Sequence, residues 1–158
     1  MFDVGEPVVY PNHGVGVVKR VAEKEVLGEK KKYYTLYFPH EQLKIEIPLG
    51  SLEDVGLRRV ISSKEAKGIL MFLAEGMSDM SEDWNKRFKE NKEKIKSGDA
   101  FKVAEVVRNL SVRDIEVGLS AGEKRMLGRA REILVGELAL VLDVDEEEVC
   151  SMMDRIFD

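Results

Sequence analysis

The chain has 158 residues, of which 44% are hydrophobic and 35% are charged, and its formal net charge is −5. That is enough apolar material for one domain or two small ones, and the mixed charge excludes a disordered acidic chain. The negative balance also excludes a protein whose whole surface is basic, so any contact with nucleic acid must come from a local patch.

Cysteine content and hydrophobic run lengths bear on the cellular compartment. Cys150 is the single cysteine and has no partner for an internal disulfide, which is typical of a reducing environment. The N-terminal MFDVGEPVVY lacks the basic and long apolar regions of a signal peptide. The run Leu138 to Leu142 is five residues long, far below the roughly 20 that a membrane-spanning helix needs. We therefore expect a cytoplasmic protein without a membrane partner.

Residues 2 to about 60 have the pattern of short β-strands. Apolar, β-branched runs are broken by Pro, Asn and Gly, as in the turn Pro11–Gly14, which is typical of hairpins. The five predicted strands are Pro7–Tyr10, Val15–Leu27, Tyr33–Phe38, Leu43–Ile47 and Leu57–Ile61. Five strands in so short a stretch predict a small, strongly curved sheet or barrel of the Tudor/SH3 type.

From Ser62 onward the hydrophobic period becomes helical. The pairs Ser62–Glu65 and Ser120–Glu123 have the spacing of capping boxes, in which a serine and a glutamate three residues later satisfy each other's backbone N–H groups. The five predicted helices begin at Ser62, Ser81, Asp99, Ser120 and near Asp145. We therefore predict an α+β protein: an N-terminal five-stranded Tudor/SH3-like β-barrel in residues 1–61, followed by a compact five-helix domain in residues 62–158.

The second predicted helix, 81–96, carries a concentration of positive charge. Ser81 is its predicted N-cap, and Glu82 and Asp83 fall in its first turn, where the helix dipole favours acids. Between positions 86 and 96 six basic residues face two acids, a local charge of +4 in a chain of net charge −5. The basic residues are Lys86, Arg87, Lys89, Lys92, Lys94 and Lys96.

The same helix contains the only tryptophan of the chain. At about 100° per residue, Trp84 shares one face with Phe88, Asn91 and Ile95. Two interpretations remain open from this pattern. The aromatic pair packs in the core, or Trp84 is an apolar wedge for nucleic acid with cations beside it.

Nothing in the sequence predicts an enzyme. His13, His40 and Cys150 lack the spacing of a metal site, and there is no nucleophile elbow, phosphate-binding loop or zinc-protease motif. We therefore predict no catalytic residues, no metal and no cofactor.

Two segments resemble a known family. The opening VGEPVVYPNHGVGVV and residues 97–140, SGDAFKVAEVVRNLSVRDIEVGLSAGEKRMLGRAREILVGELAL, are similar to the CarD/CdnL family of bacterial RNA polymerase-binding transcription regulators. Trp84 stands where that family keeps its tryptophan. The N-terminal module also resembles the polymerase-interacting domain of transcription-repair coupling factors.

The resemblance implies a mechanism in two parts. The Tudor-like domain, 1–61, would dock on the β subunit of RNA polymerase, and the helical domain, 62–158, would contact promoter DNA without sequence specificity. Trp84 would wedge into the minor groove at the upstream edge of the melted bubble and so stabilise the open complex. Lys86, Arg87 and Lys89 would contact phosphates.

The polymerase contact implied by the resemblance involves the strand Leu43–Ile47. Family members can carry an outward basic residue there, whereas this chain has Glu46. Lys24 matches a second basic residue with which family members contact the polymerase. Lys44 would take the place of the basic residue that Glu46 replaces. We expect Lys24, Lys44, Ile45 and Glu46 to form the polymerase-binding site.

Two other functions are compatible with the sequence. A general single-stranded nucleic-acid-binding module would stack bases on Tyr33, Tyr34 and Tyr37 of the barrel. A protein–protein adaptor would bury Trp84. In each case we expect a monomer.

Overall fold

The computed structural model describes residues 2–11 and 13–158. Its N-terminal part is an antiparallel sheet whose five strands lie in the order β4-β3-β2-β1-β5. The strands are β1 (Pro7–Tyr10), β2 (Gly14–Val26), β3 (Glu29–Phe38), β4 (Leu43–Pro48) and β5 (Arg58–Arg59). The prediction of five strands is confirmed.

The predicted α+β fold, a five-stranded Tudor-like sheet followed by helices, is confirmed, and the sheet is open and does not close into a barrel. Within the described residues β4 pairs only with β3, and β5 pairs only with β1. After β4 the chain forms a 3₁₀ turn, Leu49–Ser51, and a short helix α1, Leu52–Val55, instead of continuing as a strand. The predicted strand 57–61 shrinks to the two residues of β5, which are too few to bridge to β4 and close the barrel.

A long hairpin formed by β2 and β3 dominates the sheet. Leu27 and Gly28 make its two-residue loop, with φ of 53° and 81°, between the paired residues Val26 and Glu29. Positive φ at both loop positions matches the right-handed twist of the flanking strands. The predicted turn 11–14 joins β1 to β2, although its Asn12 lies outside the described residues.

Alternation along β3 separates the sheet's buried face from its outer face. Tyr34, Leu36 and Phe38 are buried, while Tyr33 and Tyr37 are only partly covered. The buried residues pack together in one apolar cluster with side chains from β1, β2 and β4, namely Val8, Val18 and Ile47.

Five helices follow the sheet, as predicted. They are α2 (Ser63–Ala74), α3 (Trp84–Lys96), α4 (Ala100–Glu116), α5 (Ala121–Leu142) and α6 (Glu146–Phe157). Both predicted capping boxes are present, at Ser62 and Ser120, and Asp99 and Asp145 cap α4 and α6. The helices bury a second apolar cluster, to which α4 and α5 contribute most of the residues.

Ion pairs join the sheet to α5 and α6. The carboxylate of Glu137 in α5 accepts two 2.7 Å bonds from the Arg58 guanidinium, and a 2.9 Å bond from the backbone N–H of Ile61. His40, after β3, lies 2.7 Å from Glu146 of α6. These contacts fix the helices against the sheet and therefore hold α3 in a defined position relative to it.

Candidate nucleic-acid interface

The helix that carries the tryptophan begins two residues later than predicted. Its N-cap is Asp83, whose carboxylate accepts a 3.2 Å bond from the backbone N–H of Lys86. Ser81 instead accepts a 3.2 Å bond from the N–H of Asp83, in the turn before the helix. Both residue types cap helices well, and the local sequence alone does not decide between them. Trp84 is consequently the first residue of α3.

The indole of Trp84 lies on the protein surface, supported on part of its perimeter. It stacks on the Phe88 ring with centroids 4.9 Å apart and planes 16° apart, a contact between residues i and i+4 of one helix. Its Nε1–H donates a 2.9 Å bond to Oγ of Ser120, the N-cap of α5. Trp84 is nevertheless 40% exposed. It is therefore neither the core residue nor the buried adaptor residue that two of the sequence interpretations required.

Arg87 is buried, and this corrects its predicted role as a phosphate contact. Its guanidinium donates bonds of 2.8 and 3.2 Å to the two carboxylate oxygens of Glu123. It also donates to the backbone oxygens of Ser81 and Glu82, at 3.1 and 3.2 Å. Arg87 is 3% and Glu123 2% exposed. The guanidinium thus joins the first turns of α3 and α5 and has no surface with which to meet DNA.

The ionisation of this pair follows from its hydrogen bonds. The hydrogen bonds from Arg87 lower the pKa of Glu123 below its ordinary value. Burial raises this pKa, whereas the positive charge of Arg87 and the hydrogen bonds from Ser120 lower it further. The bond to Glu123 likewise raises the pKa of Arg87, against the effect of burial. Both groups are therefore charged at neutral pH.

The helix that carries the indole also carries exposed lysines. Lys86 and Lys89 are exposed, as a phosphate contact requires. Two of the six cations of α3 have acidic partners: Arg87 pairs with Glu123, and Lys94 pairs with Glu105 of α4. The positive charge that α3 offers to a ligand is accordingly smaller than the +4 of its sequence.

Two residues of this surface were not predicted to belong to it. Ser120 and Gly122, at the start of α5, lie against the indole although they follow it by 36 and 38 residues. A Cβ on Gly122 would be 3.7 Å from Cζ2 of Trp84. The sequence signalled Ser120 only as a helix cap, and it contained no signal for the contact between α3 and α5.

Three of the four predicted polymerase-binding residues lie on β4, and the fourth, Lys24, lies on β2. Lys24 of β2 and Glu46 of β4 form an ion pair across β3, so two of the four are brought together. Lys44 is exposed, whereas Ile45 packs against the cluster inside the sheet. Within the described residues β4 has one strand neighbour, which leaves its outer backbone edge open.

The three tyrosines predicted to stack bases do not share a surface. Tyr34 is 1% exposed, and its hydroxyl accepts a 3.0 Å bond from the backbone N–H of Phe2. Tyr33 and Tyr37 lie on the opposite face of β3. The three-tyrosine platform was therefore wrong.

Neither a metal-binding cluster nor a membrane-spanning helix occurs in the described residues. Residues 2–11 and 13–158 contain no group of three or more His, Cys, Asp or Glu side chains arranged to hold a metal ion. In the same part of the chain, no helix is both long and apolar enough to cross a membrane.

Both parts of the chain, the Tudor-like sheet and the helical domain that follows it, match models of known protein domains. The model of the CarD-like/TRCF RID domain matches residues 2–61, and that of the CarD C-terminal domain matches residues 68–154. The chain belongs to the CarD family of transcription factors.

Individual proteins are also similar. YdeB of Bacillus subtilis (strain 168), which its name classes with the transcription factors, is 36% identical over 151 residues, or 96% of this chain and 99% of YdeB. The solution NMR structure of the 72-residue N-terminal domain of Myxococcus xanthus CarD is 34% identical, with a TM-score of 0.33. That similarity covers 37% of this chain and 79% of the CarD domain.

Proposed function

We propose that this transcription regulator docks on the β subunit of RNA polymerase and stabilises the promoter open complex by wedging Trp84 into the minor groove at the upstream edge of the bubble. In this proposal residues 1–61 bind the polymerase, residues 62–158 contact DNA without sequence specificity, and the protein acts as a monomer in the cytoplasm. The observation that carries it is the half-exposed indole of Trp84, which stacks on Phe88 in a helix whose Lys86 and Lys89 are also exposed.

The energetics of an apolar wedge favour the melted state. Inserting a side chain at a base step costs a few kcal/mol of unstacking, and the cost is least where the duplex is already distorted. The edge of a bubble is distorted, so insertion of Trp84 there opposes reclosing. The exposed lysines then supply phosphate contacts that do not depend on base identity.

Polymerase docking compensates for weak DNA binding. A small basic patch binds duplex DNA non-specifically with a Kd of about 10⁻⁴ to 10⁻⁶ M, and pairing of Lys94 with Glu105 weakens this patch further. Tethering on the polymerase supplies an effective concentration on the order of millimolar, which suffices for occupancy. The open edge of β4, which carries Lys44, Ile45 and Glu46, is suited to adding a strand of the partner, and Lys24 of β2 reaches this strand through its ion pair with Glu46.

The test compares Trp84→Ala with Lys86→Ala. Trp84→Ala is expected to shorten the lifetime of the promoter open complex while polymerase still co-purifies with the protein. Because the indole is partly exposed, the loss of stability should stay below the roughly 3–5 kcal/mol of a core Trp→Ala change. Lys86→Ala should reduce the salt dependence of DNA binding by about one phosphate contact.

Two results would count against the proposal. One is a normal rate of open-complex decay with Trp84→Ala. The other is tight binding of the free protein to single-stranded DNA, since that is the property of a general nucleic-acid-binding module.

A further inference from the structure

Ser120, the N-cap of α5, makes a hydrogen bond in addition to the one that caps the helix. Oγ of Ser120 accepts a 3.2 Å bond from the backbone N–H of Glu123, which is the capping function, and also the 2.9 Å bond from Nε1–H of Trp84. Ser62 caps α2 with the same capping-box geometry. The tryptophan bond is therefore an addition peculiar to Ser120.

The hydroxyl of Ser120 is oriented by a buried ion pair. Its Oγ–H donates to Oε1 of Glu123 at 3.2 Å, and Glu123 is held by the two bonds from Arg87. A hydroxyl has one hydrogen to donate, and an indole N–H can only donate. Donation to Glu123 therefore turns the Ser120 oxygen lone pairs towards the backbone and the indole. The chain Arg87, Glu123, Ser120, Trp84 runs from the interior to the surface.

Three supports restrict the indole to one orientation. Phe88 covers one face of the ring, Ser120 fixes the Nε1–H edge, and Gly122 of α5 lies beside Cζ2. The exposed remainder of Trp84 projects from the start of α3. An unsupported surface side chain loses conformational entropy when it binds, whereas one that is already fixed loses less.

We propose that Ser120 is a positioning residue, which holds the indole of Trp84 in the orientation that enters DNA, and that Glu123 and Arg87 act through it. This inference rests on the proposed function, because it assigns a purpose to the orientation of the same tryptophan. Ser120 contacts no DNA in this role. Its effect is to raise the fraction of molecules whose indole is ready to insert.

The substitution that isolates this role is Ser120→Gly. Glycine is a tolerated N-cap, so α5 keeps its start, but the hydroxyl that binds the indole is lost. Ser62→Gly is the matched control, since it alters the same kind of cap without a tryptophan contact. Ser120→Thr retains a hydroxyl at the cap and should rescue the wild-type behaviour.

The first readout uses the free protein. Trp84 is the only tryptophan, so indole fluorescence reports on it alone. A hydrogen bond usually has a modest net strength, so loss of the bond between Ser120 and Trp84 should lower the ratio of molecules with a fixed indole to molecules with a free indole by about 2- to 10-fold. Ser120→Gly should therefore decrease fluorescence anisotropy and increase quenching by acrylamide, while Ser62→Gly and Ser120→Thr should resemble wild type.

The second readout is the lifetime of the open complex, measured at a temperature where thermal melts show every variant folded. Ser120→Gly should give a lifetime between those of wild type and Trp84→Ala, with Ser120→Thr restored and Ser62→Gly unaffected. If Trp84→Ala shortens the lifetime but Ser120→Gly changes neither anisotropy nor lifetime, the positioning role is refuted and the wedge survives. If Trp84→Ala leaves the lifetime unchanged, the proposed function fails, and the positioning role fails with it.

Discussion

The reassignment of Arg87 from the DNA surface to the interior leads to a stability prediction. Glu123 is 2% exposed, and in Arg87→Ala its carboxylate loses the two bonds of 2.8 and 3.2 Å that hold its charge. The backbone oxygens of Ser81 and Glu82 each lose a donor as well. Removing one partner of a buried ion pair leaves an uncompensated charge in a low-dielectric site, which costs about 3–5 kcal/mol.

A loss of this size is large for a small protein. Globular domains are stable by about 5–15 kcal/mol, so Arg87→Ala should remove at least about a fifth of the free energy of unfolding. If Arg87 were instead a surface phosphate contact, its removal would change stability by less than about 0.5 kcal/mol. The two assignments thus differ by several kcal/mol, well beyond the error of a denaturation measurement.

Urea denaturation followed by far-ultraviolet circular dichroism measures this difference. Lys86→Ala, one residue away and exposed, is the control and should unfold at the wild-type urea concentration. The double variant Arg87→Met with Glu123→Gln removes both charges and should recover part of the loss, since no buried charge is left unpaired. An Arg87→Ala protein of wild-type stability whose DNA binding is less salt-dependent would refute the buried-pair interpretation.

Three further predictions concern the pH dependence of stability, a glycine of α5, and the contact between the sheet and the helices. The pKa of Glu123 is lowered in the folded protein, so its stabilising contribution is complete above the ordinary value of 4.5 and is lost as the pH falls through the lower folded value. The free energy of unfolding of Glu123→Gln, measured by urea denaturation, should therefore fall less steeply than that of wild type as the pH is lowered. Gly122→Ala places a Cβ at 3.6 Å from its nearest neighbour, an ordinary contact, and should stabilise the protein by about 0.4–1 kcal/mol in a thermal melt. Arg58→Ala leaves the buried carboxylate of Glu137 without its bidentate partner and should destabilise the protein, although by less than Arg87→Ala, because Arg58 lies at a partly exposed site where water can substitute.

Features that depend on near neighbours in the chain were predictable. The capping boxes at Ser62 and Ser120 were correctly identified, because cap and glutamate are three residues apart and satisfy each other locally. The strand Leu43–Ile47 was also correct, since alternation is a property of consecutive residues. The family was also predictable in both halves of the chain, because the motifs that resemble it are runs of consecutive residues.

Features that depend on distant pairing were not predictable. The five-stranded sheet was predicted, but its open edges were not, because the segment between β4 and β5 folds into helical turns and strand pairing at an edge depends on residues far apart in the chain. Tyr34 is a different case: it was grouped with Tyr33 and Tyr37 by composition, although local strand alternation places it on the opposite face, and only its contact with the N-terminal segment is a distant one.

Lys86 and Arg87 best separate what the sequence determines from what the tertiary structure decides. They are adjacent cations in the same basic run, and the sequence established both the local positive charge and the single tryptophan beside it. A step of about 100° around α3 turns one side chain to solvent and the other towards α5. Only packing of α3 against α5 brings Glu123, 36 residues further on, to the Arg87 guanidinium, and Ser120 to the Trp84 indole. The partner of a buried charge is therefore a property of the tertiary fold, because the free energy of burial depends on groups that the local sequence does not contain.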